Sequence, residues 1–171
     1  MKVSEIYNYE NADFAPLRDP MRGVIAAYQD AARFLDTVQE NVYINMGMIH
    51  TSRVIHDLAH EMPKRFDEFG DALHEQHLMV EYPATNELAE DIKELDEAFA
   101  IVVEVLNNVG AALERFREVT DNARFRPLAL KAEEMMMKNS ADYTRILEMW
   151  AMWENGKSSA TSFDNWVMEM Y

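Results

Sequence analysis

The sequence predicts an all-α fold: an antiparallel four-helix bundle with an N-terminal arm and a short C-terminal helix. Three observations predict it. Glycine and proline number only five each in 171 residues, too few for a strand-rich fold that turns roughly every 8–12 residues. Residues 88–116 carry an apolar period of four and three with no miss, which is the seam of a helical bundle. Apolar residues make up 49% of the chain, and a chain of this length buries roughly 70% of its extended surface, so residues 1–171 read as one domain.

Taken in order, residues 1–18 show no sustained period and read as an arm. Asp19-Pro20 opens the first helix, because Asp caps and Pro is tolerated at the first helical position. Tyr28, Ala31, Leu35, Val38, Val42 and Ile49 then recur at helical spacing. This helix is expected over about 20–61, with a weak point at Gly47 and a stop before Pro63. The second helix is expected from Arg65 to Glu81, ending at Tyr82-Pro83 because a residue before proline is pushed out of helical geometry.

Thr85 or Asn86 is expected to cap the third helix. Its seam is Leu88, Ile92, Leu95, Phe99, Val102, Leu106, Val109, Leu113 and Phe116. Ile101, Val103 and Val105 lie off that seam, so a second face needs cover from another subunit or a fifth packed element. Arg126-Pro127 opens the fourth helix, which ends at Asn155-Gly156. After a short link, the final segment within 157–171 carries Phe163, Trp166, Val167 and Met170 as a brief amphipathic helix.

The formal charge is −15, from 31 acidic and 16 basic residues. With no basic stripe to neutralise phosphates, nucleic-acid binding is not expected. The absence of cysteine excludes disulfides, thiolate metal sites and cysteine nucleophiles. No apolar run approaches the ~20 residues that span a bilayer, and the first residues lack a signal-peptide core, so no membrane partner and a cytoplasmic location are expected.

The five histidines are His50, His56, His60, His74 and His77. His56 and His60 are four apart and share a helix face; His74, His77 and Glu81 are expected to share another. A chain reversal near Arg65–Phe66 sets Asp57 level with His74, His60 with Asp71, His56 with Glu75, and His50 with Glu81. Facing helices that project carboxylates and imidazoles inward are how bundles bind transition metals. The ligand candidates are therefore His56, His60, Asp71, His74, His77 and Glu81, followed by Asp57, Glu75 and His50. Imidazole with carboxylate points to iron, zinc or manganese.

Other features read as structural. The thirteen methionines, Met135-Met136-Met137 included, read as core filling. The acidic run Glu87–Glu97 reads as a solvated face, Trp150, Trp153 and Trp166 as packing or interface anchors, and Glu104 as exposed. There is no Gly-rich phosphate loop, no Gly-x-Ser-x-Gly elbow and no HExxH.

His60, the short Met62-Pro63 connection and the step Phe69-Gly-Asp-Ala-Leu73-His74-Glu75 resemble the Dps-type mini-ferritins of the ferritin-like superfamily. The paired helical stretch Val105–Glu154 and a short fifth piece after Gly156 resemble that superfamily too. The resemblance implies a homo-oligomer and iron oxidation by peroxide or oxygen, with His60 and His74 as ligands. Where that pattern has Asp-x-x-x-Glu, this chain has Asn86-Glu-Leu-Ala-Glu90.

The reading is therefore a ferritin-like protein that binds, oxidises or stores iron as a homo-oligomer, joined through its third helix and C-terminal aromatic segment. The alternative is a metal-free helical scaffold that binds copies of itself or another chain. A third reading makes the histidines a pH switch near their ordinary pKa of ~6.5.

Overall fold

A computed structural model describes residues 14–88, 91–156 and 159–171. Every regular element among them is a helix: α1 (Ala15–Met46), α2 (Ile49–Glu75), α3 (Leu95–Thr120), α4 (Arg126–Asn155) and α5 (Ala160–Met170). The four long helices pack as a bundle, with α1 against α2 and α3, α3 against α4, and α5 across the start of α2. None of them is long and apolar enough to cross a membrane.

The expected arm is corrected over its last residues: helix begins at Ala15, while residues 1–13 lie outside the described residues. Pro16 falls in the first turn and Pro20 is carried inside the helix, while Leu17 and Met21 are already buried in the core.

The larger correction is the first hairpin. The chain reverses at Gly47, not at residues 65–66. Gly47 takes φ +67°, a left-handed conformation that glycine adopts without steric cost. Its N–H donates to Tyr43 C=O (3.1 Å), the Met48 N–H donates to Val42 C=O (3.3 Å), and α2 starts at once at Ile49. The stretches read as 20–61 and 65–81 are thus re-divided, and Pro63 sits inside α2.

A mid-helix proline costs about 3 kcal/mol. Along α2, Ile55, Leu58, Met62, Phe69 and Leu73 are all buried, at roughly 1.5–3 kcal/mol each. Met62, Phe69 and Leu73 lie on either side of Pro63, and breaking the helix there would strip at least two of them from the core. Burial wins.

From Gln76 to Glu94 the described chain has no regular structure and runs beside α1 in the same direction. Glu81 meets Arg18 and Arg22, Asn86 meets Asp30, and Asp91 meets Asn45 near the other end. An extended residue advances about 3.3 Å and a helical one about 1.5 Å, so Glu81–Ile92 and Arg22–Asn45 span similar lengths, roughly 35 Å. This crossover carries the chain to the C-terminal end of α1, so that α3 descends beside α1 and α4 rises beside α3.

It also explains why α3 begins at Leu95, against the expected start at Thr85 or Asn86. Backbone groups of that stretch are satisfied by α1 side chains instead of by a helix. The Asn86 N–H and Nδ2 donate to Asp30 (2.8 and 2.7 Å). The Ile92 N–H donates to Asn41 Oδ1 (3.1 Å), and its carbonyl accepts from Asn45 Nδ2 (2.9 Å).

From Leu95 onward every predicted seam residue of α3 is buried, as is Ile92 before it. Of the second apolar face of α3, Val105 is buried and shares a small cavity with Ala27, Ala31 and Phe34 of α1 and Asn86 of the crossover, while Ile101 and Val103 are half-buried. Glu104 is exposed, as its period predicts. The helix α4 spans the predicted residues. The tryptophans are packing anchors: Trp150 and Trp153 both donate their indole N–H to Asp96 (2.9 and 3.2 Å), and Phe163 of α5 packs on Phe99, Trp153 and Trp166.

Candidate metal centre

Because the turn at Gly47 is tight, residues equally far from it on α1 and α2 come level. Asp36 on α1 therefore faces the level of His56 and His60 on α2. Nitrogen atoms of the two imidazoles and a carboxylate oxygen of Asp36 all lie within 4.8 Å of one another. The rings of His56 and His60 stand 4.3 Å apart, centre to centre, at 58°, one helical turn apart as their spacing predicts. Asp36 and His60 are exposed and His56 is half-buried. Among the described residues no other group of three histidines or acids converges in this way.

The remaining predicted ligands do not join it. His74 and His60 lie on one helix, about 21 Å apart along its axis, so the pairings Asp57–His74, His60–Asp71, His56–Glu75 and His50–Glu81 are corrected. His50 is the second residue of α2, and its backbone N–H donates to Asp164 (3.1 Å). Asp57 is exposed on α2. Asp71 and Glu75, with Glu68 and Glu134, line a groove of about 480 Å3 between the end of α2 and the start of α4.

His74 is exposed in the last turn of α2, where a cation suits the helix dipole. His77 lies beyond the helix with φ +57°, so it shares no helix face with His74. Glu81 is also outside the helix, gripped by Arg18 and Arg22 at 2.8 Å each. Glu90 lies outside the described residues.

The bundle interior offers a different arrangement. Arg65 of α2 and Asp142 of α4 form a nearly buried ion pair at 2.5 Å, with Arg145 also on Asp142 at 3.3 Å. Tyr28 stands beside them; burial pushes its phenol well above the ordinary value, Arg65 opposes this, and Glu68 and Asp142 add to it. A guanidinium thus supplies the positive charge at the level where a bundle could hold an ion between facing carboxylates. On the rim, Glu68 is held below the usual carboxylate range chiefly by a hydrogen bond from Lys138; burial opposes this, and a hydrogen bond from Lys131 adds to the lowering.

Asp36 was missed by sequence reasoning. Its signal is the stop at Gly47: once the hairpin is placed there, Asp36 stands level with Leu58, midway between His56 and His60 on α2. Two imidazoles and one carboxylate on adjacent helices supply three ligands and leave the rest of a coordination shell open, which suits non-haem Fe(II) or, with one further ligand, tetrahedral Zn(II). No known protein family matches this chain, and no curated protein is significantly similar to it.

Proposed function

We propose that this chain is a metal-binding helical bundle that holds a divalent first-row ion, iron or zinc, through Asp36, His56 and His60. The observation that carries the reading is the convergence of these three ligands within 4.8 Å across two helices. The ferritin-like assignment belongs to the same proposal. It is supported by two antiparallel helix pairs, α1–α2 and α3–α4, joined by a single long crossover, the connectivity of ferritin-like bundles. The metal lies in the outer α1–α2 groove and not in the bundle centre, where Arg65 and Asp142 stand. Iron oxidation or storage and assembly into a homo-oligomer are the roles that this reading extends to.

Calorimetric titration of tag-free, metal-stripped protein with Zn(II) and, without oxygen, Fe(II) tests it. One ion per chain is expected, lost in Asp36→Asn, His56→Ala and His60→Ala and kept in His74→Ala. A folded wild-type protein that takes up neither ion, or a site lost in His74→Ala but kept in His60→Ala, overturns the assignment. The first of these outcomes leaves the metal-free scaffold as the reading.

A further inference from the structure

The α1–α2 groove does not end at the three ligands. One turn below Asp36 and His60 it opens into a cavity of about 310 Å3, lined by Tyr28, Ala32, Arg33, Pro63, Phe66 and Thr85 among others. Arg33 precedes Asp36 by three residues on α1, and Pro63 follows His60 by three on α2, so cavity and ligands are consecutive along one groove, about 5 Å apart. The cavity falls at the lower end of the range for small-molecule sites, with the mixed character such sites have: rings and aliphatic carbons for walls, and few polar groups.

Arg33 sits between the two parts. Its Nη1 donates to Thr85 Oγ1 (2.5 Å), and its Nη2 lies 3.6 Å from Glu87 on the crossover. A guanidinium has five N–H donors in a planar fork that matches a carboxylate, and these two contacts leave donors over. Charge points the same way. A divalent ion on one aspartate and two neutral imidazoles carries a net charge of about +1, which one carboxylate neutralises. Arg33 and Glu87 offset each other in charge, so the net positive charge left by the ion is what makes this end of the groove a local exception, on a chain of formal charge −15, that admits an anion.

Resting on the metal reading above, we infer that the open positions of the ion are completed by a small organic acid. Its carboxylate bridges the metal and Arg33, and its apolar body lies against Phe66, Pro63 and Ala32. A 2-oxo or 2-hydroxy acid fits best, because the oxygen beside its carboxylate chelates the ion while the side chain points down the groove. Neither a simple acetate nor a bulky apolar molecule without an acid group meets both halves of the site.

The test uses the full chain loaded with Co(II), whose visible absorption reports the coordination shell directly. Phenylpyruvate is the probe and pyruvate its control without the apolar body. Phenylpyruvate is expected to change the Co(II) spectrum and to bind at least about tenfold more tightly than pyruvate, since a buried ring is worth more than a methylene. Arg33→Ala, at a half-exposed position outside the core, is expected to weaken phenylpyruvate at least about tenfold. Ala32→Trp, which fills the cavity, should do the same, with both variants still binding Co(II).

The inference is overturned if Co(II) binds but phenylpyruvate leaves its spectrum unchanged, if the two acids bind equally, or if phenylpyruvate binds as tightly without metal. Failure of the metal reading itself shows separately, as absence of a protein-dependent Co(II) spectrum before any acid is added, and it removes this inference with it.

Discussion

Asp164 of α5 closes the start of α2 at Thr51. Its Oδ1 accepts from both the Thr51 backbone N–H (2.7 Å) and the Thr51 hydroxyl (2.8 Å), while Oδ2 accepts from the His50 N–H (3.1 Å). Met48, the residue before α2, makes no side-chain cap of its own, so a carboxylate distant in sequence satisfies donors that a helix start leaves open. The negative charge also suits the positive end of the helix dipole. Since Asp164 and Thr51 are buried, Asp164→Ala should cost about 2–3 kcal/mol. Asp164→Asn should cost less, because one acceptor oxygen remains. Urea denaturation followed through tryptophan fluorescence checks both, and a cost below about 0.5 kcal/mol for the alanine variant rules out the capping role.

The Arg65–Asp142 pair should behave asymmetrically. Asp142→Asn leaves the buried Arg65 charge uncompensated and is expected to destabilise by about 3 kcal/mol or more. The double variant Arg65→Met with Asp142→Leu removes both charges and should recover most of that loss. Denaturant midpoints of the two proteins decide it; equal losses would mean that the pair acts through shape alone.

Gly110 and Asn139 are expected to be coupled. Asn139 is buried, and its Nδ2 donates to the Leu106 carbonyl (2.9 Å). A Cβ on Gly110 would stand 3.2 Å from that same nitrogen. Helix propensity alone favours Ala over Gly by about 1 kcal/mol, yet Gly110→Ala should be destabilising here because the amide has to give way. In an Asn139→Ala background the same change should become stabilising. The double-mutant cycle reads the reversal, and a gain in both backgrounds would contradict it.

Acid should loosen the α2–α4 rim before alkali does. Glu68 is hydrogen-bonded by Lys138 (2.8 Å) and Lys131 (3.4 Å), and its pKa is lowered in the folded protein. A lowered carboxylate pKa gives stability that is present above the unfolded value of ~4.3 and lost as pH falls through the folded one. Lys138 shifts upward, by its hydrogen bonds to Glu68 and then Glu134, so its contribution is present below ~10.4 and lost as pH rises further. Lys138→Met should therefore flatten the stability profile below about pH 5 relative to the unmodified chain. Solvent screening at these partly exposed positions keeps the effect small. Parallel acid slopes in the two proteins would dismiss the contribution.

Metal should also register as stability. An ion bound only by the folded state adds about 2.7 kcal/mol at a hundredfold excess over its dissociation constant. Zn(II) is expected to raise the thermal midpoint of the unmodified chain and of His74→Ala, and to leave that of His60→Ala unchanged. Equal rises in all three would place the ion elsewhere.

Much of the fold is legible in the sequence. The α3 seam from Leu95 to Phe116, both ends of α4 and the short final helix follow from apolar period and end signals, which are local properties of the chain. The shared face of His56 and His60 is local as well, because four residues make one helical turn. What local signals could not rank was Gly47 against Pro63. Proline is the stronger local breaker, and the sequence taken alone favours a stop before it. The tertiary structure decided otherwise, because Met62, Phe69 and Leu73 reach the core together only if α2 continues through Pro63. That choice moved the hairpin, separated His60 from His74, and set Asp36 beside His56 and His60. Likewise Asn86 and Ile92 gave their backbone hydrogen bonds to Asp30, Asn41 and Asn45 of α1, partners more than forty residues away in sequence, which no helical period can announce. Period and composition determine which faces must be buried; only the packed chain determines which of two competing breaks the burial overrides.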